Sequence, residues 1–479
     1  MKHKGGYNLL LQGRPGYSVK ILPEPEVLYM PLKSPRFHFT EICVKDGSHV
    51  DLGEVLAKDP DNYGIPLLAS RSGTVRLDKV EGHIVLEDII AYQKEPHEFK
   101  HLPHIAHGMG TAEIKRLKMQ MLGAWEFFFD AYTGALPDPL GTPQAVIIST
   151  LNLEPFVARG DVQLQNRLLK FTRGLEHLQS LLEYQPIYLV MPDIRSAFAS
   201  RVREQIRGYA WVNLVEIPLK YPFDNFNLIA RSLGLKQDKG PIWSIRSEGI
   251  LAIDRVLTLS RPSLVRIVSV GGPDVEVPTH IKTMPGYPLQ TILEKYAPDS
   301  SAVINGGMLT GSKLDEKSLG LDSECRGLTI LPSHAQREFL GFIRPGWDRS
   351  CYAECFLSSF RKRFTERFTD AMRGEGRPCV SCNFCEEVCP AGIMPHLIHK
   401  YLYNDLIEEA DQARVDLCIQ CGLCSFVCPS KIELTKEFLD AKDLIETEKE
   451  EALQEQLRQQ KQQAEEQARR EASKAQENI

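Results

Sequence analysis

Two blocks of closely spaced cysteines are the part of the chain whose residue types and spacing can do chemistry. Each block reads Cys-x2-Cys-x2-Cys-x3-Cys-Pro, with Cys379, Cys382, Cys385 and Cys389 in the first and Cys418, Cys421, Cys424 and Cys428 in the second. At this spacing one short loop supplies three thiolates to an iron–sulfur cubane, and the fourth cysteine ligates the neighbouring cluster. The spacing therefore predicts two 4Fe-4S centres. The first would be held by Cys379, Cys382, Cys385 and Cys428, and the second by Cys389, Cys418, Cys421 and Cys424.

Zinc sites and disulfides are the alternatives to this interpretation. Structural zinc also uses cysteines two residues apart, but such a site has no use for the third and fourth cysteines of each block. Disulfides form in oxidising compartments, and we recognise no signal peptide at the start of the chain. The iron–sulfur interpretation is favoured because the whole pattern occurs twice. Since thiolate ligands must stay reduced, we expect a cytoplasmic location.

The composition excludes two other classes of protein. The chain has 479 residues, 43% apolar and 25% charged, which is typical of a globular protein with about three domains. A net charge of −6 gives no indication of nucleic-acid binding. We find no run of about 18 apolar residues, the length that a membrane-spanning helix needs. Any membrane association is therefore expected to come through a partner.

Ahead of the cysteines the hydrophobic pattern changes several times. Alternation around Gly47 and Gly53 predicts a β-hairpin over 44–56. Spacings of three to five predict a helix over 111–132. A strand at 145–149, a helix at about 164–184 and a strand at 187–191 predict a parallel sheet covered by helices. Further strands are predicted at 264–270, 275–279 and 328–331, a short helix at 288–296, and helical structure between the cysteine blocks at 395–412.

These patterns predict an α/β protein with several domains. The predicted regions are an N-terminal barrel-sandwich hybrid of the lipoyl/biotinyl type (1–100), a Rossmann-like α/β domain (101–262), a β-grasp module of the SLBB type (263–335), an α-helical dicluster ferredoxin domain (336–440) and a charged helical or disordered tail (441–479). The tail is rich in Glu, Gln, Lys, Arg and Ala and cannot bury an apolar face.

Several segments carry a family resemblance. The cysteine region, continuing through 428–434 into the charged tail, resembles the RnfC family of the Rnf-type ion-translocating ferredoxin:NAD oxidoreductase. Residues 337–346 and 356–360 resemble the NqrA family of the sodium-translocating NADH:quinone reductase (Nqr), and Lys4-Gly-Gly and 150–155 fit both. The two families are related to each other and to the flavin-binding subunit of respiratory complex I. The resemblance covers about residues 4–445, and the Rossmann-like region corresponds to the domain that binds FMN and NADH in complex I.

The resemblance implies a degenerate nucleotide site. In the Rnf and complex I relatives a glycine-rich loop binds FMN and NADH. The matching segment here, 122–130, keeps Gly123 but is otherwise rich in aromatic side chains, which obstruct the close backbone approach that a phosphate needs. Glu154 and Tyr221 are what remains of two further segments of that site. We therefore interpret FMN and NADH binding as lost, as in the NqrA family.

The resulting functional hypothesis is a peripheral electron-transfer subunit on the inner face of the cell membrane. It would relay electrons through two 4Fe-4S clusters in an ion-translocating, Nqr-type complex, with the membrane subunits as partners. A flavin-bearing subunit or ferredoxin is a further candidate partner, and quinone is a candidate cofactor. The basic residues Arg361, Lys362, Arg363 and Arg367 would receive an acidic carrier or offset the charge of a cluster.

Two alternatives stay open at this point. One is an RnfC-like protein that binds FMN and NADH itself, and the other is a non-redox scaffold whose clusters only stabilise the fold. No nucleophile or acid–base pair stands out in the sequence. Whether the chain is an enzyme in its own right is therefore undecided, since the redox centres would carry the chemistry.

A difference in charge between the two blocks generates a first testable prediction. Glu386 and Glu387 follow the third cysteine of the first block, and the second block has no acidic residue there. Because added negative charge disfavours reduction, we expect the first cluster to have the lower reduction potential. Separate redox titrations of single-cluster variants, followed by EPR, measure both potentials; the reverse order would contradict the prediction.

Overall fold

The computed structural model describes residues 4–92, 109–194, 196–298, 301–333, 347, 352, 357–360 and 376–477, with side chains of the last helix described through 463. The chain divides into two compact units, Met1–Gly374 and Glu375–Ile479. The described part contains several sheets in the first unit and only helices in the second, which confirms the predicted mixed α/β class. Within this part, no helix combines the length and the apolar content that crossing a membrane would require.

The strands of the described part all lie in the first unit. They are β1 (Val19–Ile21), β2 (Leu28–Pro31), β3 (Glu41–Ile42), β4 (His49–Val50), β5 (Val55–Asp59), β6 (Ile65–Leu68), β7 (Gly73–Arg76), β8 (His83–Glu87), β9 (Phe128–Asp130), β10 (Ala145–Ser149), β11 (Ile187–Pro192), β12 (Val212–Ile217), β13 (Ile242–Arg246), β14 (Arg266–Gly271), β15 (Thr279–Thr283), β16 (Ser301–Asn305), β17 (Ser312–Lys313) and β18 (Gly327–Pro332).

Helices occur in both units. The first unit contains α1 (Thr111–Met121), α2 (Gly160–Gln163), α3 (Leu168–Gln179), α4 (Ala197–Ile206), α5 (Phe226–Ser232), α6 (Ser247–Leu259) and α7 (Leu289–Tyr296), and the second contains α8 (Phe384–Glu387), α9 (Pro395–Tyr403), α10 (Ile407–Gln412), α11 (Leu423–Val427) and α12 (Leu434–Glu477). Helix α12 includes the charged tail, whose described side chains from 446 to 463 are exposed.

Two small sheets form from the N-terminal residues, one in the order β2-β8-β7-β4 and one in the order β3-β5-β6. The predicted hairpin over 44–56 is wrong, because β4 pairs with β7 while β5 pairs with β3 and β6. Gly53, with a φ of 79°, turns the chain from one sheet to the other. Glycine adopts this left-handed conformation without a steric cost.

The next sheet has the order β12-β11-β10-β13-β9, and all but the edge strand β9 run parallel. The predicted strands at 145–149 and 187–191 and their parallel pairing are confirmed. Every residue of β10 is buried, as expected for a strand covered by helices on both faces. The predicted helix between them is shorter, at Leu168–Gln179. It packs closely on α6, where a Cβ at Gly174 would lie 2.3 Å from the carbonyl oxygen of Ile250.

The predicted helix over 111–132 is wrong in its second half. Helix α1 ends at Met121, and Gly123 follows in the left-handed conformation with a φ of 71°. The aromatic residues after it enter the core: Trp125 stacks on Phe128 with ring centroids 4.7 Å apart and meets Trp243 edge-on at 5.1 Å. The energy of burying these rings outweighs the helical periodicity of the sequence.

The other large sheet has six strands in the order β1-β15-β14-β18-β16-β17. The helix predicted at 288–296 and the strand predicted at 328–331 are confirmed as α7 and β18. The strand predicted at 275–279 is wrong, because residues 275–278 continue the irregular segment that begins at Gly272 and β15 begins only at Thr279. Strand β1 pairs in parallel with β15, so residues from the N-terminal region complete this sheet.

A buried network of charges joins the sheets of the first unit. Arg36 binds Glu324 at 2.5 Å and donates to the backbone carbonyls of Glu126 (2.6 Å) and Phe128 (2.8 Å). The Glu126 carboxylate binds the guanidinium of Arg266, which is 1% exposed. Burial raises the pKa of Glu126 and lowers the pKa of Arg266, so each charge depends on the other. This network connects the N-terminal segment to β9 and to the six-stranded sheet.

The charge network predicts an unequal cost for two substitutions of the same type. Glu126→Ala leaves Arg266 buried without its partner, and we expect it to lower the free energy of unfolding by about 3–5 kcal/mol. Glu216→Ala removes a solvent-exposed ion pair with Arg203. We expect it to lower the free energy of unfolding by less than about 1 kcal/mol. Urea unfolding followed by tryptophan fluorescence measures both, and equal effects would contradict the role assigned to Glu126.

Candidate iron–sulfur sites

The second unit is built from two similar halves. The second half, which begins at Cys418, repeats the first half, which begins at Cys379, with an offset of 39 residues. With this offset α8 corresponds to α11, and the start of α9 corresponds to the start of α12. The two halves also share the backbone positions with positive φ, namely Ser381 and Gln420, Asn383 and Gly422, and Gly392 and Lys431. The repeat of the cysteine pattern is therefore a repeat of the local backbone.

Left-handed residues shape both cysteine loops. Asn383 (φ 62°) and Gly422 (φ 76°) directly follow the second cysteine of each block and precede the short helices α8 and α11. Asparagine and glycine are the residues that adopt this conformation most readily. The turn brings the third cysteine of each block back beside the first two.

One cavity in the second unit contains the four cysteines predicted for the first cluster. Its empty volume, including the part that is open to solvent, is about 340 Å³. The residues that line it are Cys379, Val380, Cys382, Asn383, Cys385, His396, His399, Cys428, Pro429, Ser430, Ile432 and Leu434. Three of the cysteines come from the first block and the fourth from the second block.

A second cavity of the same size, about 340 Å³, contains the other four cysteines. Its lining residues are Cys389, Pro390, Ala391, Ile393, Pro395, Cys418, Ile419, Cys421, Gly422, Leu423, Cys424, Thr435 and Phe438. Apart from Leu423, each of these residues is the 39-residue counterpart of a residue in the first cavity. The structure thus brings the predicted ligands together in two crossed sets. The assignment of each cysteine to a cluster remains a prediction.

Hydrogen bonds between the halves bring Cys428 to the first block. The backbone N–H of Arg377 donates to the carbonyl of Ser430 at 2.8 Å, and the Ser430 hydroxyl donates to the carbonyl of Pro378 at 2.9 Å. These bonds join the residues just before Cys379 to the residues just after Cys428. The fourth cysteine is therefore held by the backbone of the opposite half.

The cysteine side chains influence one another within each set. Burial, together with the neighbouring Cys382 and Cys428, raises the pKa of the Cys385 thiol to about 12. Burial, followed by Cys418, also raises the pKa of Cys424 to about 12. Four thiolates so close together require a compensating positive charge, and ligation to iron deprotonates a thiol outright. The donor set thus fits an iron–sulfur cubane with one cysteine per iron. Among the described residues, no His, Cys, Asp and Glu side chains gather in a way that could hold a single metal ion.

The sequence analysis missed the polar residues in the cavity walls. His396 and His399 line the first cavity, whereas their counterparts Thr435 and Phe438 line the second. His399 binds the Glu437 carboxylate at 2.7 Å, and His396 lies 3.5 Å from Glu386. An alignment of the two halves at their 39-residue offset would have shown that these positions follow the fourth cysteine at the same distance in both.

The three residues predicted to remain from a nucleotide site lie in separate surroundings. Gly123 is buried, and a Cβ there would lie 3.3 Å from the side chain of Leu68. Tyr221 is buried and its carbonyl accepts a hydrogen bond from the N–H of Tyr7 at 2.9 Å. Glu154 instead contacts the loop after β16. Each of the three thus contacts a different segment of the protein.

Protein groups already satisfy the Glu154 carboxylate. It accepts hydrogen bonds from the N–H and the hydroxyl of Thr310, at 2.8 and 2.7 Å. Burial raises the pKa of Glu154, and the bonds from Thr310 oppose this effect. A Cβ at Gly307 would lie 2.2 Å from the same carboxylate, so the loop requires glycine to approach it. These contacts leave Glu154 a packing role between the five-stranded and the six-stranded sheets.

Some sequence predictions fall outside the described residues. They include the segment 337–346 that carries part of the family resemblance, Phe356, and the basic residues Arg361, Lys362, Arg363 and Arg367.

Comparison with known proteins identifies the class of the C-terminal region first. Residues 378–433 match the family of 4Fe-4S dicluster domains. This range contains all eight cysteines of the two blocks.

Over most of its length, the chain is similar to the NqrA subunits of Na(+)-translocating NADH-quinone reductase. The one from Marinomonas sp. is 22% identical over 413 residues, covering 84% of this chain and 88% of the relative. Those from Pasteurella multocida and Tolumonas auensis are 26% and 24% identical, covering 74% and 85% of this chain and 78% and 90% of the relatives. This similarity confirms the predicted resemblance to the NqrA family.

A solved structure, that of NAD+-reducing NiFe-hydrogenase in the air-oxidised state, also resembles this chain. It is 14% identical and covers 68% of this chain and 61% of its own, with a TM-score of 0.40.

The crossed cavities predict which cluster each fourth cysteine serves. We expect Cys389→Ser to remove the second cluster, although Cys389 belongs to the first block, and Cys428→Ser to remove the first. Each variant should retain about four of about eight irons and give the EPR spectrum of Cys418→Ser or Cys379→Ser, respectively.

Cys325→Ser is the matched control, because Cys325 is buried outside both cavities. It should retain all of the iron. A Cys389→Ser protein whose spectrum matches that of Cys379→Ser would show that each block holds its own cluster.

Proposed function

We propose that this chain is a peripheral electron-transfer subunit of a membrane-bound, ion-translocating NADH:quinone oxidoreductase of the Nqr type. The observation that carries the proposal is the pair of four-cysteine cavities in a homologue of NqrA. Two 4Fe-4S clusters bound there would each accept and release single electrons. We place the protein on the inner face of the membrane, with the membrane subunits of the complex as its partners.

The residues of the chain itself have three tasks in this proposal. The cysteines supply the ligands, and the surrounding apolar residues limit the access of water to the second cavity in particular, where Gly422, Leu423 and Phe438 are buried. The polar wall residues act on the charge of the cysteine sulfurs. No acid–base or nucleophilic step by a side chain is required, since electron transfer makes and breaks no bond in the protein.

We also propose that the chain does not bind FMN or NADH. In place of a glycine-rich loop, the segment 122–130 contributes Trp125 and Phe128 to the core, and Trp125 donates from its ring N–H to the carbonyl of Pro137 at 2.9 Å. Replacing these contacts with a flavin would require the core to open. The electron donor and acceptor are then separate subunits or carriers, among which a flavin-bearing subunit or ferredoxin is a candidate.

Chemical analysis of anaerobically purified protein tests the proposal. We expect about eight iron and about eight sulfide per chain, from two cubanes, and EPR signals that appear on reduction by dithionite. The Cys43→Ser variant is a control and should retain the same iron and sulfide content. Cys43 is exposed and lies in the first unit, just after β3. A colourless protein that binds zinc would contradict the proposal, and clusters that resist reduction at every accessible potential would favour the scaffold alternative.

Flavin analysis separates the remaining alternative. Denaturation of the same protein should release no flavin fluorescence. Stoichiometric FMN, or quenching of Trp125 and Trp243 fluorescence by added FMN, would favour an RnfC-like function instead.

A further inference from the structure

A pair of hydroxyl groups lies beside the second cavity. The Thr435 hydroxyl oxygen is 3.7 Å from Cys424 Sγ and 2.9 Å from the hydroxyl oxygen of Ser425. The backbone N–H of Thr435 donates to the Ser425 hydroxyl oxygen, also at 2.9 Å. These contacts fix the side chain of Thr435 at the start of α12 against the third cysteine of the second block.

The contacts allow a chain of hydrogen bonds that ends at the sulfur. While Ser425 Oγ accepts from the backbone of Thr435, its own O–H can donate to Thr435 Oγ1. The Thr435 O–H can then donate to the sulfur of Cys424, which is 9% exposed. Donation in this direction stabilises negative charge on the sulfur.

Lys442 brings a positive charge to the backbone of Cys418, one of the cysteines that line the second cavity. Its ammonium group donates to the carbonyl of Cys418 at 3.2 Å, and the residue is half-buried. Thr435, Phe438 and Lys442 are spaced by three and four residues along α12, so they lie on one face of the helix. That face of α12 is turned to the second set of cysteines.

The corresponding positions of the first half have a different chemistry. Ser425 and Thr435 correspond to Glu386 and His396, and His396 Nδ1 faces the Glu386 carboxylate at 3.5 Å. Lys442 corresponds to Tyr403, which is 81% exposed. The hydroxyl pair and the ammonium group are therefore specific to the second cavity, although the cysteine geometry is shared.

We propose that Thr435 and Lys442 raise the reduction potential of the second cluster. The inference rests on the proposed function, because it requires both clusters to be present. Reduction adds one electron, taken from a one-electron donor, and so increases the negative charge on the iron–sulfur centre and its thiolates. A hydrogen-bond donor to a ligand sulfur and a nearby positive charge stabilise that reduced state. Burial of the second cavity lowers the reduction potential of its cluster. Single substitutions of Thr435 and Lys442 separate their effects from that of burial.

Redox titration of full-length variants with dithionite under anaerobic conditions, followed by EPR, tests the proposal. Thr435→Val removes the hydroxyl at nearly constant volume, and Lys442→Met removes the charge while keeping a long side chain. Each should shift the midpoint potential of the second cluster to a more negative value and leave that of the first unchanged. The signal of the second cluster is identified by its persistence in Cys379→Ser.

Three matched variants complete the experiment. Thr435→Ser keeps a hydroxyl and Lys442→Arg keeps a positive charge, so both should remain closer to the unsubstituted protein than Thr435→Val and Lys442→Met. Lys436→Met makes the same charge change at an exposed position of α12 and should produce a much smaller shift than Lys442→Met.

The outcomes distinguish this inference from the proposed function. Unchanged midpoints in Thr435→Val and Lys442→Met proteins that contain both clusters would overturn the inference alone, and so would equal shifts of both clusters. Unsubstituted protein without reducible clusters would overturn both proposals. If Thr435→Val fails to assemble the second cluster, the comparison of Lys442→Met with Lys442→Arg and Lys436→Met decides.

Discussion

Each cavity of the C-terminal unit is closed by a cysteine from the opposite half of the repeat. Cys428 joins the first block and Cys389 joins the second, so neither cavity takes all four of its cysteines from one half. The segment between the blocks, with α9 and α10, must therefore hold the halves at a fixed separation. Ile393, Ile398 and Phe438 pack together with the cysteines in one hydrophobic core. Binding iron in such a site is coupled to folding, because the ligands converge only in the folded unit.

The cysteines that line the cavities could be predicted from the sequence because their pattern is local. The other wall residues were not predicted, because their positions depend on more distant parts of the chain. Three cysteines within seven residues must face the same centre, and this local constraint, together with the exchange of the fourth ligand, predicted the sets that line both cavities. His396 and Thr435 were missed because they follow the cysteines by a turn and the start of a helix. Their position depends on how α9 and α12 begin, which the cysteine spacing does not determine. The 39-residue offset between the halves was visible in the sequence and would have paired them.

In the first unit, the predictions that were wrong concern residues whose structure depends on contacts that are distant in sequence. The buried run of β10 was predicted correctly because its composition alone requires burial on both faces. Residues 122–130 have helical periodicity, but Gly123 ends the helix and Trp125 packs against Trp243, which is distant in sequence. Strand β1 completes a sheet whose other strands begin at residue 266. Arg36 and Glu126 show the same effect for charges, since their partners Glu324 and Arg266 are distant in sequence.

The core formed by residues 122–130 also bears on how electrons would pass through the chain. If those side chains exclude flavin, as proposed, the chain has no flavin of its own to take two electrons from NADH, and the electron donor must bind from outside. The direction of electron transfer would then depend on a difference in reduction potential between two clusters with the same ligand geometry. That difference lies in the residues around the cysteines. Glu386 and Glu387 would disfavour the reduced state of the first cluster, whereas Thr435 and Lys442 would stabilise that of the second. With both effects present, electrons would move from the first cluster to the second.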